Sequence, residues 1–355
     1  MRKRRGCVIN LYALTLSELS SLVVEFGEKP FRARQLWKWM YEKRVDDFAA
    51  MSDLPKRFID KLGQNASLGS LELITRQNSA DGTEKRLYQL ADGQLIESVL
   101  MPYEDQRKTA CLSTQAGCAM GCVFCATGQM GFARNLRAEE IFEQAMLFAR
   151  ELASQGERLS NIVLMGMGEP FHNYEATMQA IRQFMDRLGI GARHITVSTV
   201  GLAPQIRRFA DEGLQVNLAL SLHKSDDSER SALMPVNRRW PIDELISACR
   251  YYTAKTNRRI TIEWAAIAGE NDSSEEARKL GRLLAGLLCH VNIIPLNPTD
   301  RYSGAPAEQA RIDKFRNILK HYGVASTVRL RRGIDIDAGC GQLKTNLIKL
   351  DQISG

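Results

Sequence analysis

Three of the eight cysteines stand together in Cys118-Ala-Met-Gly-Cys122-Val-Phe-Cys125, at spacings of four and three residues. Thiolates so spaced can wrap one corner of a cubane iron–sulfur cluster, and Gly117, Gly121, Gly128 and Gly131 let the loop bend around it. Three ligands for four irons leave one iron open to a small molecule. Structural zinc wants four protein ligands, and none of the five histidines and no fourth cysteine lies at finger spacing. Three unrelated buried cysteines are the remaining bland alternative.

Other polar groups fall just after short apolar runs. The run 161–165 leads into Gly166-Met167-Gly168-Glu169-Pro170, which lacks the third glycine of a dinucleotide fingerprint. Ser198 ends the next run, Ser221-Leu222-His223 the one after, and Asn297 follows Ile293-Ile294-Pro295. Singly, each reads as a cap or a satisfied polar residue; on successive strand ends of one barrel they make a cofactor cradle. Two cysteines outside the cluster stand apart. Strand alternation over 109–115 puts Cys111 on one face with Ser113 and Gln115, while Cys340, between Gly339 and Gly341, is expected on mobile backbone. Cys249 and Cys289 read as inert thiols in apolar helical surroundings.

The elements that must position these groups follow from pattern and length. The chain has 355 residues, 44% hydrophobic and 25% charged, which excludes a disordered tail protein, a collagen or a coiled-coil rod. No apolar run is long enough to span a bilayer, and the basic start Arg2-Lys3-Arg4-Arg5 has no cleavage site behind it. A reducing, cytoplasmic setting is therefore expected. Residues 1–70 read as a helical module: Thr15 and Glu18 form a capping box ahead of Leu16, Leu19, Leu22, Val23 and Phe26, and Ser52-Asp53-Leu54-Pro55 opens a third helix ending near Gly63. Over 71–104, the turns Asp81-Gly82 and Asp92-Gly93 separate strands at 71–76, 85–90 and 94–101, a β-hairpin extension. Over 105–332, strands beginning near Thr109, Asn161, His194, Gln215, Arg259, Val291 and Val324 alternate with amphipathic helices. That alternation means an α/β protein with a parallel sheet, doubly wound or curled into a barrel. A tail, 333–355, carries Cys340.

The cysteine motif with an aromatic residue before its last thiol, the Gly166-Met-Gly168-Glu169-Pro170 turn and the tail Asp335-Ile-Asp337-Ala-Gly-Cys340-Gly341-Gln342-Leu together resemble the RNA adenine methyltransferases of the radical S-adenosylmethionine superfamily. The resemblance runs over nearly the whole chain. It implies a partial parallel (β/α) barrel, a 4Fe–4S cluster on Cys118, Cys122 and Cys125, and S-adenosylmethionine bound by Gly168, Glu169, Ser198, Ser221, Leu222, His223 and Asn297. It further implies that Cys340 carries a methyl group, that Cys111 resolves the RNA adduct through a disulfide, and that Glu97 accepts a proton. By itself Glu97 reads as a solvated strand residue, and one extra residue lies between it and Cys111. The implied reaction is methylation of adenine C2 in 23S ribosomal RNA and transfer RNA; the family's alternative is C8 methylation of the antibiotic-resistance type. A flavodoxin-like electron donor and a monomeric state belong to the same expectation. The net charge of +7 suits a polyanionic partner, and Arg238-Arg239, Arg258-Arg259 and Arg329-Leu-Arg331-Arg332 are candidate RNA contacts.

Overall fold

The computed structural model describes residues 8–345; Arg2 to Arg5, Cys7 and the tail beyond 345 lie outside the described residues. The N-terminal module consists of β1 (Ile9–Asn10), α1 (Leu16–Glu25), α2 (Arg32–Tyr41), α3 (Lys56–Asn65) and β2 (Ala66–Ser67), with β1 and β2 paired. The expected capping box starts α1: the Glu18 amide donates to Thr15 Oγ1 and the Thr15 amide to Glu18 Oε2, at 3.2 and 2.7 Å. The third helix runs past Gly63 to Asn65, two residues beyond its glycine.

A meander follows, β3 (Glu72–Asn78), β4 (Glu84–Gln89) and β5 (Leu95–Pro102), turned at Gly82 and Gly93 with φ of 80° and 84°. Next come β6 (Lys108–Cys111), β7 (Gln115–Gly117), α4 (Ala126–Met130), β8 (Phe132–Asn135) and α5 (Ala138–Ser154). The remaining repeats are β9 (Asn161–Leu164), α6 (Tyr174–Leu188), β10 (Ile195–Thr199), α7 (Ala203–Asp211), β11 (Asn217–Ser221), α8 (Asp227–Leu233) and α9 (Ile242–Thr256). The last are β12 (Ile260–Ala266), α10 (Ser274–Leu284), β13 (Cys289–Pro295), α11 (Gln309–His321) and β14 (Ala325–Val328).

One ten-stranded sheet, in the order β14-β13-β12-β11-β10-β9-β6-β5-β4-β3, runs through all of this. From β6 to β14 every neighbouring pair is parallel; β3 to β6 are antiparallel. Each of the seven parallel strands begins within two residues of its expected position. Among the described residues β14 and β3 do not pair, so the barrel stays open. The hairpins are thus a continuation of the barrel wall, hydrogen-bonded to β6 through Val99↔Cys111 and Leu100↔Ala110. Cys249 lies buried in α9, but Cys289 opens strand β13 and does not sit in a helix.

The basic side chains of α5 and α6 dock the module. Arg187 donates to Tyr12 O, Tyr41 Oη and Leu14 O at 2.7, 2.8 and 2.9 Å, and its guanidinium lies over the Tyr41 and Phe142 rings. Among the described residues only the Tyr12 carbonyl has another side-chain donor, Gln183 at 3.4 Å, so removing the guanidinium strips hydrogen bonds and a packed cation from this seam at once. Arg187→Ala is expected to destabilise the protein by about 2–4 kcal/mol, read from urea unfolding, whereas exposed Arg193→Ala should change it by less than about 0.5 kcal/mol.

Candidate active site

The carboxyl ends of parallel strands point the same way, so residues following them converge. Here they wall a cavity of about 890 Å³, its open mouth included. Cys122, Cys125, Gly168, Glu169, Ser198, Ser221, His223, Asn297 and Cys340 all line it. Cys118 does not line it but stands beside Cys125 and Glu169. The Leu222 side chain is wholly buried behind the wall, so only its backbone serves the site.

The cysteine loop is bracketed by the ribbon β7–β8 and pinned at both ends. The Cys118 amide donates to Gly131 O at 2.7 Å, and the Val123 amide to Leu233 O at 3.1 Å. Close approach explains two of its glycines: a Cβ on Gly117 would stand 2.1 Å from Gly131 O, and one on Gly128 3.0 Å from Cys122 O. Burial pushes the Cys118 thiol up to about 12, and burial with the two neighbouring thiols raises Cys122 well above the ordinary thiol value. Such thiols ionise only beside a compensating positive charge, which is what a bound metal centre provides. Among the described residues no group of three or more such side chains closes on a single ion. Three thiolates shared among three irons need not converge. The donor set fits the cluster.

Gly166 and Gly168 are required by packing. A Cβ on Gly166 would lie 2.7 Å from the Leu112 carbonyl, and one on Gly168, which sits at φ +100°, would lie 2.5 Å from the Gln115 side chain. Gly166→Ala should force β6 and β9 apart and lower stability by about 1–3 kcal/mol in denaturant unfolding. The Glu169 carboxylate accepts from the Phe171 and Val200 amides at 3.0 and 2.8 Å, yet burial pushes it up to about 7. His223 occupies the left-handed region at φ 61°. Its Nδ1 accepts from the Ala265 amide at 2.9 Å, which leaves the ring proton on Nε2. Burial and then Arg230 pull its pKa down to about 3, so it is a neutral donor and no acid–base group near pH 7. Asn297 Nδ2 donates to Cys340 O at 3.0 Å, while its buried Oδ1 has no donor. An acceptor left open at a cavity wall fits a polar ligand such as S-adenosylmethionine.

The tail is strapped across the barrel mouth. Ser79 Oγ donates to Asp335 at 2.5 Å and Lys85 Nζ to Asp337 O at 3.3 Å. The Ala126 amide and Thr127 Oγ1 donate to Gly341 O and Leu343 O, both at 2.7 Å. Gln342 returns to the Gly339 amide at 3.1 Å and donates to Pro298 O at 3.1 Å. Cys340 is therefore held from both sides, a correction to the mobile backbone expected from its flanking glycines. Its residue lines the main cavity and also a second recess shared with Cys111 and Arg329. All seven described cysteines are free thiols.

Residues 9–68 match the ribosomal RNA large subunit methyltransferase N-terminal domain, and residues 112–281 match the radical SAM superfamily. Dual-specificity RNA methyltransferase RlmN 1 of Myxococcus xanthus is 51% identical over 341 residues, covering 95% of each chain. The chain belongs to the RlmN family. A probable RlmN of Geobacillus thermodenitrificans is 47% identical over 94% of this chain and 92% of its own. A radical SAM methyltransferase from Sphaerobacter thermophilus, known from its crystal structure, is 49% identical and superposes with a TM-score of 0.91, covering 95% of this chain and 99% of that one. The open parallel barrel is thus the radical SAM fold, in its RlmN form.

Within this RlmN chain Glu97 is buried, not solvated as its strand setting suggests. Its carboxylate accepts from the Lys344 amide at 3.0 Å and pairs with Lys85 Nζ at 3.4 Å. The Val99↔Cys111 register puts Glu97, two residues along, on the same sheet face as Cys111. The turn at 103–107, where Gln106 has φ 65°, takes up the spacing between them. Of the basic pairs, Arg258-Arg259 precedes β12 and so lies at the strand end away from the cavity, where Arg258 holds Asn217. Arg329 to Arg332 follow β14 at the cavity itself.

Two site residues escaped the sequence reading. Glu263, inside the apolar run of β12, lines the cavity and accepts from Asn292 at 2.9 Å. A lone carboxylate in a buried strand was the available signal. Arg230, fully buried, donates to Leu222 O, Ser221 O and Val200 O at 3.0, 3.0 and 2.7 Å, and so fixes the ends of β11 and β10. Nothing local in α8 marks it.

Proposed function

We propose that this RlmN-family protein methylates C2 of adenine in 23S ribosomal RNA and in transfer RNA, with Cys340 as carrier of the transferred carbon. The observation that carries the reading is the placement of Cys340: strapped over the barrel mouth, it borders the cysteine loop's cavity on one side and Cys111 on the other. Cys118, Cys122 and Cys125 would hold a 4Fe–4S cluster, with Gly168, Glu169, Ser198, Ser221, Leu222, His223 and Asn297 around S-adenosylmethionine. When bound, that pair supplies one-electron chemistry able to activate a C–H bond, which polar methyl transfer cannot replace at an electron-poor ring carbon. A flavodoxin-like protein would deliver the electron, to a monomer in the cytoplasm; no helix among the described residues is long and apolar enough to cross a membrane.

The chain's own residues do the remaining work. Cys340 Sγ presents the carbon to the ring, and Cys111 Sγ then attacks Cys340 Sγ: the disulfide forms, the bond from Cys340 Sγ to the transferred carbon breaks, and that carbon leaves on the RNA with the electron pair and takes up a proton. Glu97 takes the ring proton. Burial pushes its carboxyl up to about 7 despite Lys85 and the Lys344 amide, close to the pH at which it must accept. The rate of adduct breakdown is therefore expected to rise with pH through about 7 and then level, and Glu97→Gln should abolish that limb. Stability runs the other way. A carboxyl raised from 4.5 to about 7 stabilises the fold fully below pH 4.5, and that contribution disappears as the pH rises through 7.

Nucleoside mass spectrometry tests the reaction. Expressed in cells lacking their own enzyme, the protein should restore 2-methyladenosine to ribosomal and transfer RNA. Finding 8-methyladenosine instead would favour the C8 alternative, and finding Cys340 never methylated while the RNA is would sink the carrier role.

A further inference from the structure

The segment after β14 ends in a lip over the recess that holds Cys111 and Cys340. Arg329 turns inward and lines both cavities. Leu330 then points out, 79% exposed, the barest of the large apolar side chains among the described residues. Arg331 and Arg332 follow, and neither has a carboxylate partner among the described residues; Arg332 Nε is buried with no acceptor at all. Across the recess stands Tyr103, with the Arg332 guanidinium 4.5 Å and the Arg107 guanidinium 4.8 Å from its ring centre. Asp81 and Glu104 border the same depression, but Asp81 spends its carboxylate on the Thr83 and Gly333 amides at 2.9 and 3.0 Å. Arg107 is paired with Asp105 at 2.7 Å, but the recess itself is lined by Arg329, Arg331 and Arg332 and by no carboxylate among the described residues, so its inner side is positive.

An adenine whose C2 must reach Cys340 has to leave its stack, and proteins that extrude a base commonly fill the gap with an apolar side chain. An aliphatic group held in water between unpaired guanidiniums is otherwise hard to account for. We propose that Leu330 is the wedge that closes the RNA stack behind the target adenine, while Arg331, Arg332 and the Tyr103 ring grip the flanking nucleotides. The proposal rests on the RNA-methylating reading above and adds how the base is presented.

The test uses the full-length holoprotein and an RNA stem-loop carrying 2-aminopurine at the target position. That analogue fluoresces when unstacked, and its C2 already carries the amino group, so the signal reports extrusion of the base without turnover. Wild-type protein should raise the fluorescence. Leu330→Ala should lose most of the rise and cut kcat/KM on the adenine-containing RNA about tenfold, with the salt dependence of binding unchanged. Arg331→Ala and Arg332→Ala should each weaken binding and reduce the slope of log K against log salt by roughly 0.7–0.9. A Leu330→Ala protein with wild-type fluorescence and kcat/KM would overturn the wedge. Unstacking by wild type without any methylated adenosine would overturn the functional reading and leave the wedge standing; no unstacking, with methylated adenosine still formed, would overturn the wedge alone.

Discussion

Cys340→Ala is expected to abolish methylation of RNA, by at least about a thousandfold, as for loss of a covalent nucleophile. The loss should come without unfolding. Cys340 makes its recorded contact to Asn297 through the backbone carbonyl, and the straps on either side use Asp335, Asp337, Gly341, Gln342 and Leu343. None of these depends on the thiol, so the melting temperature should stay within about two degrees of wild type. Two readouts separate a lost carrier from a damaged site: S-adenosylmethionine binding should survive, and intact mass should show no added methylene on the variant. By contrast Asn297→Ala should weaken both, because Asn297 touches the tail and the cavity together.

How much of this was legible beforehand depends on how local the cause is. The Asp-Gly turns, the apolar runs and the Thr15–Glu18 box act over a few residues, and the strands and helix they announce stand where expected. The three clustered thiols and the strand-end residues are likewise short-range signals on a regular scaffold, and eight of them reach one cavity. What failed needed partners far away in the chain. Glu97 looks exposed until the tail lays the Lys344 amide on it, a contact across 247 residues. Cys340 looks mobile until Ser79, Thr127 and Asn297 are seen to hold its segment. Arg230 serves carbonyls at two strand ends, one of them thirty residues earlier, so no periodicity could single it out. Cys289 reads as helical from its apolar surroundings, a pattern that a buried strand start shares.

Cys111→Ala should stop the reaction at a different point, and the difference is the stronger test of the mechanism. In the proposed mechanism, removing Cys340 prevents any bond to RNA, whereas removing Cys111 leaves bond formation possible and removes only the thiol that would release it. A protein–RNA adduct through Cys340 is therefore expected to accumulate, visible as a band on a denaturing gel that ribonuclease shortens. Product release should fall by a factor of about a hundred or more, since the remaining route lacks a positioned thiol. Burial pushes the Cys111 thiol up to about 12, with the nearby Cys340 adding and Arg329 opposing. The free thiol is thus a poor nucleophile at neutral pH, and its attack must be helped by the guanidinium of Arg329, which lines the same recess. It follows that an added small thiol should rescue Cys111→Ala only weakly, because it has neither that cation nor that proximity. Full rescue by dilute free thiol, or absence of the adduct, would remove Cys111 from the mechanism and leave its burial as its only property.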